Sequence, residues 1–221
     1  MDVILAFAVA AVISFWGSLQ LGLVNVAVIE TTLTRGGKYA LLLAIGGVIP
    51  EIPYTLLAIY GAEYVGTLER YKTSLGIVIG AILIGIGVIY LLKRSKPMEI
   101  KESTSRFPRT GAFAKGFGLA MLNPQLIFFW SGILILIETG SFNFINGKDT
   151  LIDFRAEGLI SPKWSFAFGA AIGALAILII YIYLARKYRG RISSDLSQKL
   201  NKVVGLFFIV IGLVSIVRNV I

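Results

Sequence analysis

Six apolar runs, most of them too long for the core of a soluble domain, dominate this 221-residue chain. They cover roughly residues 3–29, 39–64, 75–92, 114–137, 164–185 and 203–217. About twenty consecutive apolar residues is the length that crosses a bilayer as helix. Each run is apolar on every face, without the alternation of a barrel strand. Backbone groups in lipid must be satisfied within the segment, so helices are expected. The first run has no basic flank at its start and continues past the length of a secretion signal, so it is read as a span. The expected fold is an all-α polytopic membrane protein with six transmembrane helices.

Charge placement orients them. The formal net charge is +9, with 21 basic residues. Fifteen of these flank the first, third and fifth connections, including Arg35, Lys38, Lys93, Arg94, Lys115, Arg186 and Lys187. Basic residues collect on the cytoplasmic side of membrane proteins, which puts these connections inside and both termini outside the cytoplasm. The basic clusters are not interleaved with aromatics and accompany no nucleic-acid motif, so anionic lipid is the expected contact and nucleic acid is not a partner.

The two halves resemble each other. Residues 44–58 match 171–185 at an offset of 127, with Gly46/Gly173 and Tyr54/Tyr181 among the identities. Span three matches span six at an offset of 125, pairing Gly80 with Gly205 and Gly87 with Gly212. Spans one and four align through Asn25 and Asn123 at an offset of 98. The chain is then a single transporter domain over residues 1–221, with repeat one at 1–95, repeat two at 112–221 and a cytoplasmic linker at 93–111. Three spans per repeat is odd, so the second copy sits upside down in the membrane. Such inverted repeats place substrate sites at their interface. The paired glycines seven residues apart read as close-packing grooves.

Composition removes much chemistry. There is no Cys and no His, hence no thiol or imidazole nucleophile, thiolate metal site or imidazole ligand. Neither an enzyme nor a cofactor is expected. Carboxylates, amides, hydroxyls and backbone remain, and Glu51 is the one ionisable residue at mid-membrane depth. It lies about thirteen residues into span two, some ~20 Å from the cytoplasmic end. A charge there costs a few kcal/mol (~3) even on lenient insertion scales, which marks a functional site. Pro50 and Pro53 flank it and free carbonyls one turn earlier. Gln20, Gly22 and Asn25 interrupt span one; Asn123, Pro124 and Gln125 interrupt span four. Broken spans at corresponding places in two halves point to a transporter binding site. Glu51 would accept a proton or pair with an ammonium. Asn25, Asn123, Gln20 and Gln125 would supply polar contacts. Trp16, Trp130 and Trp164 are expected as interfacial or packing residues.

The stretch from Gly17 through Gly22 to Asn25, the turn Thr34-Arg-Gly-Gly-Lys38, Gly46-Gly47-Val-Ile-Pro-Glu51 and Gly116 through Asn123-Pro124 to Trp130 resemble the LysE/RhtB family of amino-acid exporters. The family's Pro-Gly-Pro break is Leu21-Gly22-Leu23 here, and its usual acidic Asp after a glycine is Glu51 after Pro50. The resemblance implies a divergent member in a prokaryotic cytoplasmic (inner) membrane that exports amino acids or similar small amino compounds, coupled to protons or membrane potential. A divalent-cation exporter of related fold is the alternative; hard cations want several oxygen ligands, and one carboxylate at mid-depth argues against it. A non-transporting scaffold is the third reading. The expected partners are a small-molecule substrate and membrane lipids, with a homodimer left open.

Overall fold

A computed structural model describes residues 2–19, 22–66, 72–92, 109–123, 125–138, 152–154, 158, 161–188 and 194–220. The secondary structure among them is helical throughout. In chain order the helices are α1 (Asp2–Gly17), α2 (Leu23–Arg35), α3 (Gly37–Val48), α4 (Glu51–Gly66), α5 (Lys72–Leu92), α6 (Arg109–Met121), α7 (Gln125–Glu138), α8 (Pro162–Lys187) and α9 (Ser194–Val220).

Three continuous helical stretches are long and apolar enough to cross a membrane: Gly37–Ala62, Pro162–Lys187 and Lys202–Val220. Thr110–Met121 and Leu126–Glu138 together form a fourth, bent by 55° at its break. Val3–Gly17 and Gly76–Leu92 are shorter apolar helices. This is a multi-pass helical membrane protein. Large apolar side chains such as Ile82, Ile89, Leu206 and Leu213 are exposed on α5 and α9, as lipid-facing surfaces require.

The interruptions read in the sequence are where helices end. The first run divides into α1 and α2, and the fourth into α6 and α7. Between α3 and α4 the backbone stays helical at Ile49 (φ −59°, ψ −42°). Pro53 has no N–H for the Ile49 carbonyl, so the Ile52 N–H donates to it instead at 3.1 Å, tightening that turn. Span two is thus continuous through the tightened turn at Pro50. Gly36, at φ +92°, reverses the chain between α2 and α3 in a conformation that favours glycine.

Packing is organised by helix pairs, and their registers give direction. The α1–α8 pair is parallel: Gly169 and Gly173 sit against the carbonyls of Phe7 and Ala11, and Ser165 Oγ donates to Val3 O at 2.7 Å. Span two also runs parallel to α6: Gly46 lies against Phe113 O, and eight residues further on Tyr54 OH reaches Met121 O. The α5–α9 pair is antiparallel. A Cβ on Gly80 would lie 2.8 Å from Gly212 O, and one on Gly87 would lie 2.6 Å from Gly205 O. The sequence expectation that these four glycines are packing grooves holds. No side chain fits there without moving backbone.

Two apolar clusters result. One gathers Trp130, Ile133, Phe154 and Phe166 with Leu83 and Phe208. The other gathers Val28, Leu43, Val48, Leu178 and Tyr181. Residues of both line the cavity described next.

Candidate functional site

The break in the first span shapes one wall of this cavity. Helix α1 ends at Gly17. Helix α2 begins at Leu23 behind an extended N-cap, Gly22 (φ −81°, ψ −178°), whose lack of a side chain leaves the first turn without a side-chain cap. The opening N–H groups of a helix have no intrahelical partners, and they present partial positive charge. Asn25, buried in that first turn, reaches back across the break: its Nδ2 donates to Ser18 O at 2.8 Å. The asparagine therefore holds the break's geometry as well as facing the cavity.

The second break is built differently. Asn123 follows α6 rather than opening α7, and its N–H donates to Ala120 O at 3.1 Å. The Asn123 carbonyl accepts from Leu126 N–H at 3.3 Å. Asn25 and Asn123 consequently lie on opposite sides of their breaks. The contacts of α1 and α6 correspond at an offset of 102, relating Ala11 to Phe113 and Leu19 to Met121. That differs by four residues from the offset of 98 that pairs the two asparagines.

Glu51 opens α4 at the third wall. It is 5% exposed, and its Oε2 accepts a hydrogen bond from Trp130 Nε1 of α7 at 2.7 Å. Trp130 is fully buried and edge-packed on Phe129 and Phe166, with ring centroids 5.0 and 5.5 Å away. An indole so enclosed has few rotamers, so it fixes where the carboxyl points.

Gly22, Asn25, Glu51 and Asn123 line one cavity of about 120 Å³. Its remaining surface is largely apolar and includes Leu83, Ile86, Phe129 and Phe208. A single carboxyl, two amides and a half-helix N-terminus in an apolar enclosure suit a small zwitterion or amine. A carboxyl attracts cationic groups and a helix start anionic ones.

Four of the nine sequence-derived candidates, Gly22, Asn25, Glu51 and Asn123, therefore converge. Pro50 is buried in the turn before Glu51, while Pro53 is exposed on α4. Gln20 and Pro124 lie outside the described residues. Gln125 opens α7, and its side chain also lies outside them. The sequence reading of Trp130 as packing or interface is incomplete, since its N–H engages Glu51. A tryptophan placed six residues beyond an Asn-Pro break, deep in a span, is the signal: a buried indole N–H requires an acceptor. Two phenols also find acceptors at the breaks. Tyr54 OH donates to Met121 O at 2.7 Å, and Tyr181 OH donates to Leu19 O. Ser14 Oγ and Thr55 Oγ1 are buried without a hydrogen-bond partner among the described residues, Thr55 one turn along α4 from Glu51.

Comparison with known proteins bears on this site. The chain is 25% identical over 195 residues to a Bacillus subtilis protein described as "Putative amino acid efflux protein YcgF", covering 88% of this chain and 87% of that one. It is 24% identical over 166 residues to a Pseudomonas aeruginosa protein described as "Chemotactic transduction protein ChpE", covering 75% of this chain and 81% of that one. No solved structure matches. The family model described as "LysE type translocator" matches residues 15–146, a range that contains Gly22, Asn25, Glu51, Asn123 and Trp130. The chain belongs to the LysE type translocator family.

Proposed function

We propose that this translocator exports amino acids, or similar small amino compounds, from the cytoplasm as a secondary transporter coupled to protons or to the membrane potential. The observation that carries the reading is the meeting of Glu51 with two broken spans at one cavity. In this reading Glu51 exchanges a proton or pairs with the substrate ammonium. The start of α2 and the Asn25 and Asn123 amides receive the carboxylate, and the apolar walls receive the side chain. The efflux description of the Bacillus subtilis relative supports the direction and the substrate class. The chain's place is then a prokaryotic cytoplasmic membrane, with both termini outside.

The proposed scaffold is an inverted three-plus-three repeat, residues 1–95 and 112–221 joined by a cytoplasmic linker at 93–111. Its support is the reciprocity of the contacts. Gly46 and Gly173, related by the offset of 127, face carbonyls related by 102 in the opposite half. Gly80–Gly212 and Gly205–Gly87 are one contact and its two-fold image. Parallel α1–α8 and α3–α6 with antiparallel α5–α9 is the pattern six alternating spans require. Halves related this way exchange access by rocking about a fixed site.

The test is efflux of a radiolabelled L-amino-acid panel from proteoliposomes. Wild type is expected to move at least one member, and Glu51→Gln, which keeps size but cannot ionise, to abolish that flux. Undiminished flux in the variant would remove Glu51 from the mechanism.

A further inference from the structure

Both hinges of the broken spans are held by the same device, and neither holder is a cavity residue. A helix that stops leaves its last carbonyls without intrahelical donors, and in an apolar surrounding each must find one. At the α1–α2 break the donor to Leu19 O is the phenol of Tyr181 on α8. At the α6–α7 break the donor to Met121 O is the phenol of Tyr54 on α4, at 2.7 Å. The two tyrosines correspond at an offset of 127, and the two carbonyls at 102. Those are the offsets that relate the glycine contacts of the same helix pairs. Each phenol crosses from one half of the chain to the hinge of the other. The acceptors adjoin residues that line the cavity, Ser18 beside Leu19 and Ala120 beside Met121.

We propose that Tyr54 and Tyr181 are positioning residues for transport, each pinning the hinge of the broken span in the opposite half so that movement of one half is transmitted to the other. The inference rests on the transporter reading above. If α2 or α7 tilts about its break, the carbonyl at the break is the pivot. A pivot tied to the partner half carries that half along. A phenylalanine keeps the ring and its packing and removes only the tie. Losing one such bond shifts a two-state equilibrium by roughly three- to tenfold.

The absence of cysteine allows spin labels to be placed on an otherwise native chain in liposomes. One labelled pair, Ile4→Cys with Thr34→Cys, reports the angle between α1 and α2. Another, Thr110→Cys with Ile135→Cys, reports that between α6 and α7. Tyr181→Phe is expected to broaden the first distance distribution and leave the second unchanged, with Tyr54→Phe doing the reverse. In amino-acid counterflow each variant is expected to lose Vmax by roughly three- to tenfold with KM altered by less than about twofold, because the site is intact and its movement is not. Tyr183→Phe, on the exposed face of the same α8 helix, is the control and should change neither reading. Unchanged distributions in both variants would overturn the proposal, as would equal broadening of both pairs by either variant, which is general loosening. Selective broadening in a protein whose wild type moves no amino acid would support the pins and overturn the amino-acid reading instead.

Discussion

At the scale of single residues the site is a buried acid and the indole that donates to it. Glu51 announces itself in the sequence because a carboxylate thirteen residues into an apolar run has few structural excuses. Trp130 does not, because its acceptor lies 79 positions earlier, and only the α4–α7 packing brings them together. Trp130→Phe keeps an aromatic ring and leaves Glu51 Oε2 without that donor. Losing a hydrogen bond to an ionisable group costs about 1.5–3 kcal/mol. Amino-acid flux should therefore fall by about tenfold or more while the purified protein stays monodisperse; flux within twofold of wild type would mean that Trp130 only packs. Thr55 gives the opposite case. Its hydroxyl is fully buried with no partner among the described residues, and such a group costs roughly 1–3 kcal/mol. Thr55→Val, of nearly the same shape, should raise the unfolding temperature in detergent. A lower temperature would reveal a donor or acceptor role for that hydroxyl within the fold.

At the scale of elements, the breaks were legible and their registers were not. Glycine, proline and asparagine inside apolar runs mark where α1 gives way to α2 and α6 to α7, because those residues either weaken a helix or compete for its backbone. Aligning the two breaks through their asparagines placed Asn25 and Asn123 as equivalents. The packing of α1 on α8 and of α6 on α3 instead sets a frame four residues away, about one helical turn. Residue identity cannot distinguish frames one turn apart in a helix of Ala, Ile and Val, since each presents similar side chains to the same face. Close approach of backbones decides it, and the glycines that permit that approach are matched in the frame the contacts use. Gly46→Ala should make the point experimentally. Its Cβ would run into the Phe113 carbonyl, a backbone group that cannot turn aside, and overpacking of this kind costs typically ~1–3 kcal/mol. Gly61→Ala, with nothing within 4 Å of the new methyl, should leave stability equal or slightly higher through helix propensity. Thermal unfolding of both variants checks the contrast, and equal effects would refute the packing account of Gly46.

At the scale of the whole molecule, charge and packing speak to the same topology by independent routes. Charge asymmetry assigns sides from the loops alone. Helix direction comes from which residues meet, irrespective of loops, and yields parallel α1–α8 and α3–α6 with antiparallel α5–α9. In the proposed scaffold, three spans per half join the two into an inverted arrangement. Salt-bridge geometry adds little: Lys115 and Glu30 approach to 3.9 Å across α6 and α2 at a partly exposed site, where such pairs are worth under about 1 kcal/mol. The sidedness itself is open to direct measurement, again because the chain lacks cysteine. Lys163 and Lys187 sit near opposite ends of α8, separated by some ~36 Å at the helical rise. In intact cells a membrane-impermeant maleimide should label Lys163→Cys and spare Lys187→Cys; in inside-out vesicles the preference should reverse. Thr34→Cys at the exposed end of α2 should follow Lys187→Cys, since both belong to the basic side. Labelling of Thr34→Cys together with Lys163→Cys from outside would break the shared logic of charge and packing. The inverted repeat could not then stand with the termini outside.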